Sequence, residues 1–263
     1  MEVGISTACL YPLETVQALS SVLDQGARTV EIFVNADHEY SIPYLRRMQA
    51  VLTRADAEVF TVHPYTAAYE SLMFFSDYTT RFEDSVEQYR RTFASAAFLG
   101  AKAVVFHGAR KEALISMEEY CERYGRLASV AREEGVVLAQ ENVCRCKSGS
   151  IKNITTMRRL LGDEVRFILD VKQARRAGIP AQKMCSAMEG QIVGIHLSDS
   201  APGHDCLLPG FGEADLPGLH RELQKQRFRG VLLIEVYRTG FSAMSEMKKA
   251  LSVARLIFSP NNY

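Results

Sequence analysis

The sequence predicts a single α/β domain folded as a (β/α)8 barrel, and three observations support that prediction. Short runs rich in β-branched residues alternate with longer amphipathic segments along the whole chain. Eight such strand–helix units within 263 residues match the usual size of this barrel. The Gly-rich turn that a doubly wound dinucleotide-binding sheet carries after its first strand is missing. No linker divides the chain, so one domain is predicted over residues 1–263.

The predicted elements follow one another in a regular order. The strand candidates share a short apolar centre and lie at 3–7, 29–34, 58–64, 103–108, 136–143, 165–171, 192–199 and 231–237. Helical periodicity is clearest at 12–25, 42–55, 81–99, 117–134, 216–226 and 243–257. Gly26, Gly100, Gly135 and Gly230 stand where a glycine is expected just past a helix, because glycine adopts the left-handed conformation easily.

The composition is that of an ordinary globular protein, with 47% hydrophobic residues, 24% charged residues and a formal net charge of zero. A neutral chain lacks the excess positive charge of proteins that grip nucleic acid through its phosphates, so a nucleic-acid partner is not expected. No run approaches the roughly 20 apolar residues of a membrane span, and the first residues do not resemble a signal peptide. Six scattered cysteines are expected to be reduced thiols, which favours a cytoplasmic protein.

Ionisable residues stand in or near the carboxyl-terminal half of seven predicted strands: Glu31, His63, His107, Glu141, Asp170, His196 and Glu235. In a (β/α)8 barrel that end is the face where active sites are built. Because side chains two apart share a face, Glu141 is expected to lie above the apolar Ala139 and Val137 inside the barrel. Each residue alone has an ordinary explanation: Glu31 could equally cap a helix or pair with a surface base, and a single histidine is usually structural.

Four of these residues are harder to explain one by one, because they lie on strands five to eight and therefore form one arc of the barrel. Three carboxylates placed close together repel one another and raise their own pKa values unless a cation neutralises them. Carboxylates with one imidazole suit a divalent ion such as Mn²⁺, Mg²⁺, Co²⁺ or Zn²⁺. The pattern favours a metal site made of Glu141, Asp170, His196 and Glu235.

The segment HLSDSAPGHDCLLPGFGEAD, residues 196–215, holds an unusual density of ionisable residues and turn-forming Gly and Pro. It follows strand seven, so it is expected to fold over the barrel mouth. His204 within it is a candidate substrate contact, and the alternative is a solvated loop residue.

Five short motifs occur in order along the chain: QENV at 140–143, LDVKQA at 169–174, HLSD at 196–199, LLPGFGEAD at 207–215 and LIEVY at 233–237. With them the whole chain resembles the xylose isomerase-like TIM-barrel superfamily, the sugar phosphate isomerase/epimerase group to which endonuclease IV is related. The resemblance implies one divalent metal ion, with Mn²⁺ favoured, held by Glu141, Asp170, His196 and Glu235. It also implies a small-molecule carbohydrate substrate and, as is frequent in this group, a homodimer.

The resemblance further implies that the two glutamates carry the proton chemistry. Glu141 would remove a proton beside the substrate carbonyl and Glu235 would return one, or the reverse, through an enediolate that the metal stabilises. His63 and His107 would line the opposite wall and hydrogen-bond substrate hydroxyls. Lys172 would pair with a substrate phosphate or carboxylate, unless it is a solvated lysine at the strand exit. Gln173 is also placed among the substrate contacts.

Departures from the superfamily pattern keep other functions open. Gln173 stands where many members have a histidine, and the arginine that ketose 3-epimerases carry soon after His196 is absent. Endonuclease IV has zinc ligands at the positions of His63, His107 and the four candidate metal ligands named above. However, Gln173 replaces another of its ligands, and the loop around His204 lacks its Asp-x-His pair. A dehydratase of a keto-polyol begins with the same proton abstraction, and a barrel that binds a sugar without turnover is the remaining alternative.

Overall fold

A closed barrel of eight parallel strands forms the centre of the computed structural model, which describes residues 1–259. The barrel strands are β1 (Glu2–Ser6), β2 (Thr29–Phe33), β3 (Glu58–His63), β4 (Ala103–Phe106), β5 (Val137–Glu141), β6 (Arg166–Asp170), β7 (Ile192–Leu197) and β10 (Val231–Ile234). A separate antiparallel hairpin, β8 (Asp199–Ala201) and β9 (His204–Leu207), follows β7. The predicted (β/α)8 fold and the position of every predicted strand are confirmed. Residues 260–263, the end of the predicted domain, lie outside the described residues.

Helices surround the barrel and connect its strands. They are α1 (Thr15–Asp24), α2 (Ile42–Ala55), α3 (Glu70–Phe74), α4 (Thr79–Phe98), α5 (Met117–Glu133), α6 (Ile151–Leu161), α7 (Val171–Arg176), α8 (Ala181–Ala187), α9 (Leu216–Lys225) and α10 (Met244–Ile257). Sequence periodicity did not single out α3, α6, α7 or α8. Three of these have only five to seven residues, which is too short for a 3.6-residue period to show. In α6 only Ile154 and Met157 are buried, so its apolar face is too small to give a clear helical period.

The chain order of the strands is also their order around the barrel, which closes where β1 pairs with β10. Inside the barrel, Ala103, Val105, Ala139 and Ile168 form a small apolar cluster, and Val137 packs against it. The expected apolar layer beneath Glu141 is therefore present. Because this layer fills the interior, polar side chains at the carboxyl ends of the strands lie above it, at the barrel mouth.

Three of the four predicted glycine helix ends are confirmed, because Gly26, Gly100 and Gly135 have φ values of 94°, 75° and 82°. The prediction for Gly230 is wrong. After α9 the left-handed position belongs to Arg227, whose φ is 53°. Gly230 serves close packing instead, since a Cβ there would lie 2.0 Å from the carbonyl oxygen of Val193.

Six cysteines are present as free thiols, five of them buried and Cys144 partly exposed. Among the helices of residues 1–259, none combines the length and the apolar character needed to cross a bilayer. The cytoplasmic location stays a prediction.

We expect Gly4→Ala to lower the free energy of unfolding by at least roughly 2 kcal/mol, the range for overpacked cores. A Cβ at Gly4 would lie 2.1 Å from the carbonyl oxygen of Thr29, between β1 and β2. Gly125→Ala is the matched control, because its Cβ would meet nothing closer than 3.5 Å within α5. That variant should gain up to about 1 kcal/mol from helix propensity. Urea unfolding measures both, and equal stabilities would contradict the packing argument.

Candidate metal centre

Four side chains from the carboxyl ends of consecutive strands converge at the barrel mouth. Glu141 ends β5, Asp170 ends β6, His196 lies in β7 and Glu235 directly follows β10. One donor atom from each of the four lies within 4.8 Å of all the others. Glu141, Asp170 and His196 are at most 2% exposed, whereas the Glu235 side chain is 13% exposed. The four predicted metal ligands are therefore together in space.

Burial and neighbouring charges shift the pKa values of two carboxylates in this quartet, Asp170 and Glu141. Burial raises the pKa of Asp170 to about 8, and the charges of Glu141 and Glu235 add to that effect against the opposing charge of Lys172. Burial would also raise the pKa of Glu141, but the imidazoles around it outweigh burial and hold that pKa well below its usual range. Burial therefore disfavours full ionisation of these carboxylates unless a cation neutralises them.

The donor atoms of the quartet fit a divalent cation. Among the described residues, Asp170 Oδ2 and His196 Nδ1 are buried without a hydrogen-bond partner. The other polar atom of each side chain already makes a hydrogen bond. Asp170 Oδ1 accepts one from the backbone N–H of Gln173 at 2.8 Å, and His196 Nε2 lies 2.9 Å from Glu31. The free atoms therefore face the cluster, and carboxylate oxygen with imidazole nitrogen is a donor set that Mn²⁺, Mg²⁺, Co²⁺ or Zn²⁺ accepts.

Glu31, which the sequence left open, orients the histidine of this quartet. Its carboxylate is fully buried and accepts hydrogen bonds from Ser6 Oγ and Thr61 Oγ1, each at 2.8 Å, as well as from His196 Nε2. Burial would raise its pKa, but the charge of His196 and the hydrogen bonds lower it to about 2. An ionised Glu31 holds a ring proton on Nε2, so Nδ1 is the nitrogen that would lose its proton and bind a cation.

His63 and His107 lie against Glu141. His107 Nε2 is 2.7 Å from Glu141 Oε2 and 3.1 Å from His63 Nε2, and His63 Nε2 is 3.8 Å from the same oxygen. A single proton on His107 Nε2 can satisfy only one of its two contacts. These three residues are a second group able to hold a cation, with Glu141 shared between the two groups. Their predicted role as substrate contacts stays a prediction.

Lys172 belongs to the carboxylate cluster. Its Nζ lies 3.3 Å from Glu235 Oε2 and 3.5 Å from Asp170 Oδ2, and the residue is 4% exposed. The alternative of a solvated lysine is wrong. Burial would lower its pKa, but Asp170 and Glu235 raise it well above the usual range, so the side chain is an ammonium ion. It neutralises part of the charge of the three carboxylates.

Gln173 and His204, the remaining predicted substrate contacts, are placed differently from one another. Gln173 Oε1 accepts the backbone N–H of Cys144 at 3.1 Å and so ties the loop after β5 to α7. His204 is exposed in the β8–β9 hairpin. The roles of both in substrate binding stay predictions.

Asp199 organises the long segment after β7. Its buried carboxylate accepts backbone N–H groups of Ser200, Gly210, Gly212 and Ala214 at 2.7–3.1 Å. Asp205 pairs with Arg176 at 2.5 Å. Part of the ionisable content that made this segment conspicuous therefore stabilises the loop itself.

Two further polar residues fix the strand ends that carry the site. The side chain of Asn142 exchanges two hydrogen bonds with the backbone of Asp170, at 2.7 and 3.0 Å, which joins β5 to β6. Glu70 is fully buried and accepts the backbone N–H groups of His107 and Gly108 at 2.6 and 2.7 Å. Glu70 carries little signal in the sequence, because it lies in a connection rather than at a strand end.

A cavity of about 430 Å³ opens beside the cluster, and we call it the mouth cavity. Glu235 and Lys172 line it where it meets the carboxylates. Five aromatic side chains line it, one from the end of β2 and four from the connections after β1, β3 and β10: Phe33, Tyr11, Tyr65, Tyr69 and Tyr237. His204 is not among the lining residues.

Comparison with known proteins gives a family and a set of similar folds. The family model described as xylose isomerase-like TIM barrel matches residues 19–257. An uncharacterized protein of Mycobacterium leprae (strain TN) is 22% identical over 96% of this chain and 94% of its own length. D-psicose 3-epimerase from Clostridium cellulolyticum H10 superposes with a TM-score of 0.81 at 14% identity, over 98% of this chain and 99% of that one. The probable 3-DHS dehydratase AsbF from Bacillus anthracis superposes with a TM-score of 0.77 at 13% identity, over 96% and 98%.

We expect Glu70→Ala to destabilise the protein by roughly 3 kcal/mol or more. The change leaves the N–H groups of His107 and Gly108 and the Tyr89 hydroxyl without this acceptor, and each buried unsatisfied donor costs about 1–3 kcal/mol. Glu87→Ala is the control, because its side chain is 78% exposed and should change stability by no more than about 0.5 kcal/mol. Chemical denaturation measures both, and a Glu70 variant as stable as the control would refute the anchoring role.

Proposed function

Because this chain belongs to the xylose isomerase-like TIM-barrel family, we propose that it is a divalent-metal-dependent isomerase or epimerase of a carbohydrate. The reaction would remove a proton from a carbon next to a carbonyl group and return a proton to the sugar. One divalent ion, with Mn²⁺ favoured, would be held by Glu141, Asp170, His196 and Glu235. The homodimer that the resemblance implies also stays a prediction.

The convergence of the quartet is the observation that carries the proposal. Its four candidate ligand atoms fall within 4.8 Å of one another, and two of them are buried without a hydrogen bond. A protein that only bound a sugar would have no need to concentrate three buried carboxylates beside a cavity. Metal catalysis of proton transfer uses such a group, since it combines a cation site with positioned bases.

The two glutamates occupy different depths, which suits two different proton-transfer roles. Glu235 lines the mouth cavity and is the more exposed, whereas Glu141 is buried against His107. In the proposed reaction one carboxylate takes the proton beside the carbonyl, and the other returns a proton. A bound divalent ion would supply positive charge where the carbonyl oxygen becomes negative. Lys172 places a second positive charge at the same edge of the cavity.

A dehydratase is the alternative closest in chemistry. Loss of water from a keto-polyol also begins with proton abstraction next to a carbonyl, so the same two carboxylates would serve it. The similarity in fold to the probable dehydratase AsbF is consistent with this reading. Release of water, rather than return of the proton to the sugar, separates the two reactions.

A phosphodiesterase related to endonuclease IV is a second candidate, and the group of His63, His107 and Glu141 favours it. Glu141 would then be a ligand in both groups, and paired cations would stabilise the attacking and leaving oxygens of a phosphodiester. The neutral net charge argues against a DNA substrate. Two or three ions per chain together with cleavage of abasic DNA would support this candidate. About one ion per chain without cleavage would support the proposed isomerase.

We expect Glu141→Gln and Glu235→Gln each to slow proton exchange by at least about 100-fold, the contribution typical of a general acid or base. Purified protein loaded with Mn²⁺ is incubated in D2O with a panel of keto sugars and sugar phosphates. Deuterium appearing at the carbon next to the carbonyl is followed by NMR.

Glu112→Gln provides the matched control, since this glutamate is exposed and belongs to neither group of candidate metal ligands. It should exchange protons at the rate of the unmodified protein. Metal content and circular dichroism are measured for each variant. Unimpaired exchange in either site variant would overturn the assigned roles of the glutamates.

We expect Glu31→Gln to weaken metal affinity by about 10–100-fold, the usual effect of removing the partner of a metal-binding histidine. The change preserves the shape of the side chain, but it removes the negative charge that fixes the proton of His196 on Nε2. Metal affinity is measured by competition with a fluorescent chelator, again with Glu112→Gln as control. Equal affinities in the two variants would exclude this orienting role.

A further inference from the structure

We propose that the mouth cavity binds an uncharged keto sugar carrying an apolar ring substituent, as in an aryl glycoside of a keto sugar, with that substituent between Tyr11 and Tyr69. The inference rests on the proposed function and names the substrate class for the same site. It follows from three features of the cavity: the aromatic side chains in its walls, the contacts that hold Phe33 and Tyr237 in place, and its balanced charge.

Aromatic side chains dominate the walls of the cavity. Phe33, Tyr65 and Tyr237 line it together with Tyr11 and Tyr69. Tyr11 is 61% exposed and Tyr69 is 58% exposed. Exposed aromatic rings gathered around one concave site are characteristic of ligand recognition, because a ligand that covers them removes apolar area from water. Such rings suit the C–H faces of a sugar and the flat face of an aryl group.

Contacts within the protein hold the rings of Tyr237 and Phe33 and the backbone next to Tyr69 in place before any ligand binds. The Tyr237 hydroxyl accepts a hydrogen bond from Arg176 at 2.8 Å, and Lys172 Nζ lies 5.0 Å from the centre of its ring. The Phe33 ring packs against His63 at 4.8 Å. Tyr69 immediately precedes Glu70, whose buried carboxylate fixes that connection to the end of β4. A preformed site of this kind loses little conformational entropy on binding.

The charges around the cavity do not suit a phosphate group. Lys172 is the one cationic side chain among the lining residues, and Asp170 and Glu235 already surround its ammonium group. Arg176, which lies behind Tyr237, is paired with Asp205. Phosphate recognition usually combines several N–H donors, such as a helix N-terminus or an arginine fork. No arginine lines the cavity, and the α-helix N-cap in its lining, Tyr69, belongs to the five-residue α3, so the geometry points to an uncharged ligand.

The positions of the charged and aromatic residues also orient the ligand. Glu235 and Lys172 belong to both the cavity and the carboxylate cluster, so the reacting carbon of the sugar lies at that edge. Tyr11 and Tyr69 come from the connections after β1 and β3, and they are exposed to solvent. The part of the substrate farthest from the chemistry therefore meets these two rings.

Binding of phenyl β-D-glucoside, methyl β-D-glucoside and glucose 6-phosphate to the Mn²⁺-loaded protein tests this inference, with isothermal calorimetry as the readout. The phenyl glycoside should bind at least about tenfold more tightly than the methyl glycoside, because burying a phenyl ring contributes more than burying a methyl group. Glucose 6-phosphate should bind no better than the methyl glycoside. In a Tyr11→Ala/Tyr69→Ala variant, the preference for phenyl over methyl should fall below about threefold.

Tyr78→Ala is the matched control, because Tyr78 is 64% exposed and does not line the cavity. It should retain the full preference for the phenyl glycoside. Equal binding of the two glycosides, tighter binding of the phosphate, no measurable binding, or a preference that survives loss of Tyr11 and Tyr69 would each overturn the inference. A retained phenyl preference with no proton exchange on any keto sugar would refute the proposed function and leave the binding inference intact.

Discussion

The burial of three carboxylates at one end of the barrel is the constraint on which the rest of the site depends. Glu141, Asp170 and Glu235 come from three different strands, and barrel closure brings their oxygen atoms within a few ångströms of one another. Like charges in a poorly hydrated site are stable only if something opposes them. The structure supplies Lys172 and the nearby imidazoles, but Asp170 Oδ2 and His196 Nδ1 make ion-pair contacts without a hydrogen bond. Those two atoms are what a divalent cation would use.

A layer of buried polar residues holds this arrangement in place. Glu31 orients His196, Asn142 joins the backbone of β5 to that of β6, and Glu70 fixes the end of β4. None of them needs to contact a substrate, yet each determines where a reactive side chain points. Hydrogen bonds between strand ends therefore fix the positions of the site's side chains, because the apolar layer beneath makes no directional contacts.

Functional roles are divided around the rim of the barrel. The arc from β5 to β7, completed by β10, carries the quartet, whereas β2 and the connections after β1 and β3 supply most of the aromatic rings of the mouth cavity. Beyond His196, the conspicuous segment after β7 contributes no residue to the quartet or to the cavity lining. Its Asp199 binds backbone N–H groups, so much of its polarity stabilises its own fold. Separate parts of one barrel thus supply the candidate catalytic residues and the residues that line the binding cavity, as is general for this architecture.

The sequence by itself determined the barrel, its strands and the four candidate ligands, because strand periodicity and polar residues at strand ends are local signals. It also led to an error at Gly230 and left Glu31 and Lys172 undecided. Only the tertiary structure decided that Lys172 is buried among carboxylates, that His63 and His107 lie against Glu141, and that five aromatic rings share a cavity. The physical reason is that these properties depend on distances between residues up to more than two hundred positions apart in the chain. Barrel closure fixes such distances, and no local pattern of residues encodes them.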